Sequence, residues 1–193
     1  MMFKLLSLIF LFFTLSFCDT SMEVLPPIGT ETVPISKTVF KLLKNGNERT
    51  VDLTGNNFVI VSVREHGSDG RFYAVDSDGT IWWSGPVTSG AHEFRSPSGI
   101  FPIIQKKRYH MSTAYPDENG INNMNHMMKF TNSGHALHEG SVNWMSHGCI
   151  HIDPKDIPAI YKWSTYKTKV VITRHSYMDF AKEDLKKIYI AEE

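Results

Sequence analysis

The sequence has only two cysteines among its 193 residues, Cys18 and Cys149, which excludes the small secreted domains that several disulfides hold together. It also has no excess charge, because 20 Lys and Arg residues balance 20 Asp and Glu residues. A balanced charge gives no driving force toward nucleic acid or an anionic membrane surface. With 41% hydrophobic residues, the chain is long enough to form one main domain around a real core.

The first 18 residues have the pattern of a secretory signal peptide. Lys4 supplies a positive start, and residues 5–17 are nearly all apolar. That run is too short for a spanning helix, which needs about 20 residues. We therefore expect cleavage at or soon after Cys18, export to the periplasm or cell envelope, and no stable membrane span afterwards. Lipidation at Cys18 and an uncleaved anchor are the alternatives.

The rest of the chain divides into three predicted parts. Residues 19–55 carry scattered prolines and glycines with little periodicity, which is typical of a linker or N-terminal extension. Residues 56–174 form the main domain, and residues 175–193 form a C-terminal helix that begins near Ser176.

Short runs of β-branched and aromatic residues predict a mostly β domain with one inserted helix and the C-terminal helix. Pro102 suggests that its strand lies at a sheet edge or bend. The inserted helix starts at Asp153, with Ile157 and Ile160 on its inner side. The predicted strands are 58–63, 71–75, 81–83, 99–104, 135–138, 149–152 and 169–173.

Cys149 lies in the densest group of chemically active residues, directly after Ser146, His147 and Gly148, with His138 upstream. A cysteine nucleophile acts as the thiolate, so a neighbouring group must lower its pKa or take its proton. Histidine is the usual choice. Gly148 allows close approach of the backbone, whose N–H groups would face a developing oxyanion.

Two other interpretations of these residues stay open on chemistry alone. Cleavage of the signal peptide after Cys18 would leave Cys149 as the one cysteine, and a lone cysteine is often simply a buried structural residue. Alternatively, His147, Cys149 and His151 alternate along a strand and would point to one face, where His135 or His138 adds a fourth zinc ligand. These alternatives correspond to a non-catalytic wall-binding or metal-binding protein.

The segment from Ser146 to Ile150 resembles the signature of the L,D-transpeptidase catalytic domain family, also called YkuD-like, which includes an upstream histidine. Three further segments are similar to that family, and the likeness covers roughly residues 57–174. These segments are Val87–Gly90, Ser96–Phe101 and Met128–His138.

The resemblance implies a β-rich fold with the thiol in a cleft, no cofactor, and peptidoglycan stem peptides as the partner. In that family the thiolate attacks the bond between the L-centre of the third stem residue and D-Ala, which leaves. An amine then resolves the acyl-enzyme and forms a crosslink. If water resolves it instead, the enzyme is an L,D-carboxypeptidase.

The resemblance also implies roles for individual residues. Cys149 is the nucleophile and His138 its proton acceptor, whereas His147 and Ser146 shape the site. The N–H groups of Gly148 and Cys149 form the oxyanion site. No metal ligand is implied, and nothing in the sequence specifies an oligomeric state.

Two positions depart from the family pattern and bear on substrate binding. Glu139 follows His138 where a small residue is more usual, and His151 stands where the family usually has Arg. A neutral His cannot grip a carboxylate in two places as Arg does. We expect His151, Glu139, Arg95 and Trp144 to line the substrate site, with Lys106 or Arg108 as other sources of positive charge.

Overall fold

The structure is a computed structural model that describes residues 29–63, 70–115 and 122–190. The predicted signal peptide and the first part of the predicted linker lie outside these ranges, so they stay predictions. Within the described ranges, no helix combines the length and apolar character that crossing a membrane requires.

Three N-terminal strands form a small antiparallel sheet in the order β1-β2-β3. They are β1 (Glu31–Pro34), β2 (Val39–Lys44) and β3 (Asn47–Asp52). The segment predicted as a linker or N-terminal extension therefore contains regular strands from residue 31 onward, which its sequence pattern did not indicate. Asn45-Gly46 joins β2 to β3 with φ angles of 51° and 77°, and Asn-Gly between two strands is a strong hairpin signal.

The other nine strands form one large sheet, in the order β7-β12-β4-β5-β6-β11-β10-β9-β8. The strands are β4 (Phe58–Val63), β5 (Gly70–Val75), β6 (Ile81–Thr88), β7 (Gly99–Pro102), β8 (Gln105–Lys107), β9 (Met127–Lys129), β10 (Ala136–Glu139), β11 (Ile150–Ile152) and β12 (Lys169–Thr173). All seven predicted strands are present, and the mostly β fold class is confirmed. Pro102 ends the edge strand β7, as predicted.

The large sheet separates two hydrophobic cores, and β4 explains why. All six residues of β4 are buried, because Val59 and Val61 face one core while Phe58 and Ile60 face the other. A strand covered on both faces needs a continuous apolar run rather than alternation.

Two helices cover the sheet. The first, α1 (Ile157–Trp163), supplies Ile157 and Ile160 to the same core as Val59. The second, α2 (Met178–Ile190), packs against β6 and supplies Ala181 and Leu185 to the other core. Ile157 and Ile160 face inward, as predicted.

The start of α1 differs from the prediction. Its N-cap is Asp156 rather than Asp153, since Asp153 forms the preceding turn and accepts the N–H of Lys155 at 2.9 Å. At the other end, Lys106 Nζ donates to the Tyr161 and Ser164 carbonyls. Lys106 therefore caps α1, so it is not a free charge for substrate.

We predict that the N-terminal sheet contributes strongly to stability through Phe40. Its ring is fully buried, 6.0 Å from the Phe58 ring and 6.5 Å from the Tyr177 ring. Phe40→Ala should lower the free energy of unfolding by about 3–5 kcal/mol in urea titration. Ile35→Ala is the control, because Ile35 is 47% exposed and should change it by about 0.5 kcal/mol or less. Equal effects of the two substitutions would show that this sheet does not belong to the cooperative fold.

Candidate active site

The site forms where two parallel strands meet, β10 and β11. Their register pairs Leu137 with Ile150 and His138 with His151. Leu137 and Ile150 point into the core, so alternation turns the residues on either side of them to the opposite face. That face carries His138 of β10 and His151 of β11. It also carries Cys149, the residue directly before β11. The pairing thus brings together a thiol and two imidazoles that the sequence separates by up to 13 positions.

The Cys149 thiol is free and half-buried. It packs against a small apolar cluster of Met124, Met127 and Ala136, and its Sγ lies 4.0 Å from the Gly134 carbonyl oxygen. Burial raises the pKa of the thiol, and the backbone N–H of Ala136 opposes this only in part. At neutral pH the resting sulfur is therefore protonated.

His138 is buried, with 6% of its surface exposed, and one hydrogen bond fixes its tautomer. Its Nδ1 donates to the backbone carbonyl of Glu139 at 2.7 Å. Because a carbonyl oxygen only accepts, the proton of the neutral ring sits on Nδ1 and the lone pair on Nε2. Burial, with a smaller contribution from the neighbouring His151, lowers the pKa of His138 to about 3.

These two protonation states bear on how the thiol is activated. The sequence left two routes open, a lowered thiol pKa and transfer of the thiol proton to a neighbouring base. The imidazole is not positively charged at rest, so it does not hold the sulfur as a thiolate. A neutral imidazole with a free Nε2 can instead accept the thiol proton while the sulfur attacks, which is general-base catalysis. The raised pKa of the thiol and the lowered pKa of the imidazole therefore favour proton transfer during attack over a preformed ion pair.

Ser146 shapes the turn that presents the cysteine. Its hydroxyl donates to the Cys149 carbonyl at 2.6 Å and accepts the N–H of Gly148 at 3.0 Å. Its backbone is joined to the segment after β6, through Ser146 N–H to Ser89 at 2.9 Å and Ala91 N–H to Ser146 at 2.9 Å. The predicted shaping role of Ser146 thus has a physical basis.

Gly148 has a different role from the one expected. Its N–H donates to the Ser146 hydroxyl, so in this conformation it does not face an oxyanion. Its φ of +109° favours glycine, and an added Cβ would lie 2.9 Å from Cδ2 of His135. Gly148 therefore serves the turn and its close packing, and the predicted oxyanion role of its N–H is corrected.

Ser96 is a site residue that the sequence reasoning missed. It is fully buried; its hydroxyl donates to the Gly148 carbonyl at 2.8 Å and accepts the Gly90 N–H at 3.0 Å. Arg174 in turn donates to the Ser96 carbonyl at 2.7 Å. The signal was available, because Ser96–Phe101 is one of the segments that resembles the family, but the serine itself was not singled out.

His147 is exposed and lies between two aromatic rings. The Tyr115 ring stacks on it with 4.3 Å between centroids, and the Phe94 ring meets it edge-on at 4.8 Å. Phe94 ends a short 3-10 turn, His92–Phe94. The described contacts of this imidazole are thus aromatic ones at the rim of the site.

The His151 ring sits beside the base. It lies 5.0 Å from the His138 ring, edge to face, and its Nδ1 is 3.1 Å from the Ser141 carbonyl and 3.3 Å from the Thr88 hydroxyl. Burial lowers the pKa of His151, so the ring is neutral at neutral pH. It cannot replace the charge of an arginine, and its contacts instead tie the loop before Cys149 to β6.

The other three predicted substrate residues are spread around the site. The Glu139 carboxylate turns to His126, 3.1 Å from its Nδ1, and only its backbone carbonyl contacts His138. Trp144 is 63% exposed on the loop between β10 and β11. Arg95 is half-buried and directly follows Phe94. Their substrate contacts stay predictions.

The metal-binding alternative finds no support in the part of the chain that the structure describes. No group of three His, Cys, Asp or Glu side chains there is arranged to hold a metal ion. His135 Nδ1 instead lies 2.9 Å from the Thr131 hydroxyl.

A thiol and a buried neutral imidazole on adjacent strands of a β-rich fold define a candidate thiol-dependent acyl-transfer site. Residues 56–172 match the L,D-transpeptidase catalytic domain family, YkuD. That match covers more than half of the sequence, and the chain belongs to this family. No curated protein is similar enough to match.

Solved structures show the same fold. An L,D-transpeptidase from Mycobacterium tuberculosis H37Rv is 14% identical, with a TM-score of 0.52 and 76% of each chain covered. An L,D-transpeptidase from Enterococcus faecium is 17% identical, with a TM-score of 0.50 over 61% of this chain and 49% of that one. This chain thus spans about half the length of the Enterococcus faecium protein.

The close packing of Gly148 gives a testable prediction. Gly148 and Gly134 have nearly equal φ angles, +109° and +111°, but an added Cβ would crowd His135 at Gly148 and would meet nothing within 4 Å at Gly134. Alanine therefore meets the same unfavourable φ at both positions, and only Gly148→Ala also overpacks. We expect its free energy of unfolding to fall below that of Gly134→Ala by about 1–3 kcal/mol. Equal values in urea titration would contradict the crowding.

The low pKa of His138 predicts a pH-dependent stability. As pH falls below about 6.5, the unfolded chain protonates this histidine, whereas the folded state keeps it neutral down to about pH 3. Stability from this group is thus complete above pH 6.5 and is lost as pH falls. Between pH 7 and 5.5 the wild type should lose about 1 kcal/mol more unfolding free energy than His138→Gln. Parallel losses in both proteins would contradict the assignment.

Proposed function

We propose that the protein is an exported cysteine L,D-transpeptidase that acts on tetrapeptide stems of peptidoglycan. Family membership supports the reaction class, and the predicted signal peptide supports a substrate outside the cytoplasmic membrane. The observation that carries the proposal is the fixed tautomer of His138, because the bond to Glu139 leaves Nε2 as a proton acceptor on the face that also carries Cys149.

The first half of the reaction forms a thioester. Cys149 Sγ attacks the carbonyl carbon between the L-centre of the third stem residue and D-Ala, and its proton passes to His138 Nε2. The carbon–nitrogen bond then breaks, and His138 returns the proton to the departing D-Ala amine. The site is left with an acyl group on sulfur and a neutral imidazole.

The second half transfers the acyl group to an amine. The incoming amine attacks the thioester carbon and gives one proton to His138 Nε2. When the carbon–sulfur bond breaks, that proton returns to the sulfur, and an amide crosslink is released. Water in place of the amine would give a trimmed tripeptide, which is the L,D-carboxypeptidase alternative.

The neutral state of His151 limits how the substrate is held. A neutral imidazole does not neutralise the terminal carboxylate of the D-Ala that leaves. Lys106 is engaged at the end of α1. Within the proposal, Arg95 and Arg108 are the candidate cations for that carboxylate, and exposed Trp144 offers an apolar surface.

The nucleophile prediction is tested with purified tetrapeptide muropeptides. Cys149→Ser should lower D-Ala release by at least about 1,000-fold, since the weaker serine nucleophile has only a neutral imidazole to activate it. Tyr166→Ala is the control, because Tyr166 is 60% exposed in the loop after α1. Intact-mass spectrometry should find an acyl-enzyme only in the wild type and this control. Crosslinked dimers among the products identify the transpeptidase, and tripeptide alone identifies the carboxypeptidase. D-Ala release by Cys149→Ser at the wild-type rate would eliminate the mechanism.

A further inference from the structure

Glu139 is held by hydrogen bonds from three directions. Its N–H donates to the Asn125 carbonyl at 2.9 Å, its carbonyl accepts from His138 Nδ1 at 2.7 Å, and its carboxylate oxygen Oε2 lies 3.1 Å from His126 Nδ1. The same residue therefore touches the proposed base through its backbone and a second histidine through its side chain.

Because Glu139 lies at the end of a strand, the bond from its carboxylate to His126 contributes to holding the residue in place. Glu139 is the last residue of β10, and only one further bond, Gly140 N–H to Ile152 at 3.1 Å, continues the pairing to β11. The Glu139 carbonyl shares its peptide plane with the Gly140 N–H, so the bond to Ile152 holds one edge of that plane. The carboxylate that His126 contacts restrains the same residue from its side chain, and the two restraints together set the direction of the carbonyl.

His126 is itself held firmly enough to act as an anchor. Its backbone has a φ of +53°, which is uncommon for a residue other than glycine. Its N–H donates to the Arg108 carbonyl at 2.8 Å, and its ring meets the Tyr161 ring of α1 edge-on at 5.4 Å. A strained backbone persists only where its surroundings determine it, and here those surroundings aim the imidazole at Glu139.

We propose that His126 is a positioning residue for the proposed reaction: by holding the Glu139 carboxylate, it fixes the Glu139 carbonyl that orients His138. The inference rests on the proposed function. It assigns a role to a residue that neither sequence reasoning nor the family motifs single out, and it explains why a carboxylate follows the base in this chain. Losing the anchor removes one of the two restraints on the Glu139 peptide, so its carbonyl, and the His138 ring bonded to it, shift from the orientation that the proposed reaction uses.

The test uses substitutions matched in shape. Asn and Asp both tolerate a positive φ and place one polar atom where His126 has Nδ1. In His126→Asn this atom can be an N–H donor to Glu139, whereas in His126→Asp it is an oxygen that repels the carboxylate. Glu139→Gln removes the repulsion and supplies an amide donor, so His126→Asp combined with Glu139→Gln should restore the contact.

The measurements are the rate of acyl-enzyme formation and the KM for tetrapeptide, with the melting temperature of each variant alongside. His126→Asp should slow acylation by at least about tenfold, because small misplacements of a base are costly. Its KM should stay within about twofold, since the residue does not contact substrate. His126→Asn should acylate within about threefold of the wild-type rate. The double variant should acylate within about threefold of the rate of Glu139→Gln alone.

The outcomes separate this inference from the proposed function. A wild-type protein that forms no acyl-enzyme overturns the proposed function itself. An active wild type with equally fast His126→Asp, or with a slow double variant, overturns only the role of His126. If His126→Asp does not fold, Glu139→Ala replaces it, because it deletes the carboxylate and keeps the backbone. We expect it to slow acylation about fivefold or more, and a wild-type rate would again overturn the role.

Discussion

The hydrogen bond from His138 Nδ1 to the Glu139 carbonyl is the interaction on which the chemistry of this site depends. A buried imidazole without it could present either nitrogen to the thiol, and one tautomer would offer an N–H instead of a lone pair. The bond at 2.7 Å selects the useful tautomer through the backbone, without a charged partner. Burial then keeps the ring neutral, which preserves the lone pair on Nε2 across physiological pH.

The same burial has a cost for the nucleophile, because it stabilises the thiol over the thiolate. The site as a whole is therefore built from neutral groups, and His151, where the family usually has an arginine, extends that character. In the proposed reaction, charge develops only when the sulfur attacks and the proton moves to His138. A resting thiol also reacts more slowly with oxidants than a thiolate.

Much of this arrangement could be predicted from sequence, because short patterns of neighbouring residues carry the information. The apolar, β-branched runs of β4 and β12 are typical of strands that are buried on both faces. The resemblance of the Ser146–Cys149 motif to a known family predicted that Cys149 and His138 lie in one site. The N-terminal sheet was missed because β3, Asn47–Asp52, is almost entirely exposed and polar, so its sequence looks like a linker. Strands β8 and β9 have three residues each, too few to show a period.

The parts of the site that sequence reasoning missed share a different cause. The role of Ser96, the engaged N–H of Gly148 and the contact of His126 with Glu139 all join residues that lie 2 to 52 positions apart through hydrogen bonds. No periodicity encodes such bonds, because they depend on where folded loops meet. A motif can therefore name the reacting atoms, but their orientation is set by side chains elsewhere in the sequence that hold the backbone around them. In this chain the turn at Cys149 is fixed by serine hydroxyls and the His138 ring by a carbonyl, so the fold supplies orientation rather than added charge to the proposed reaction.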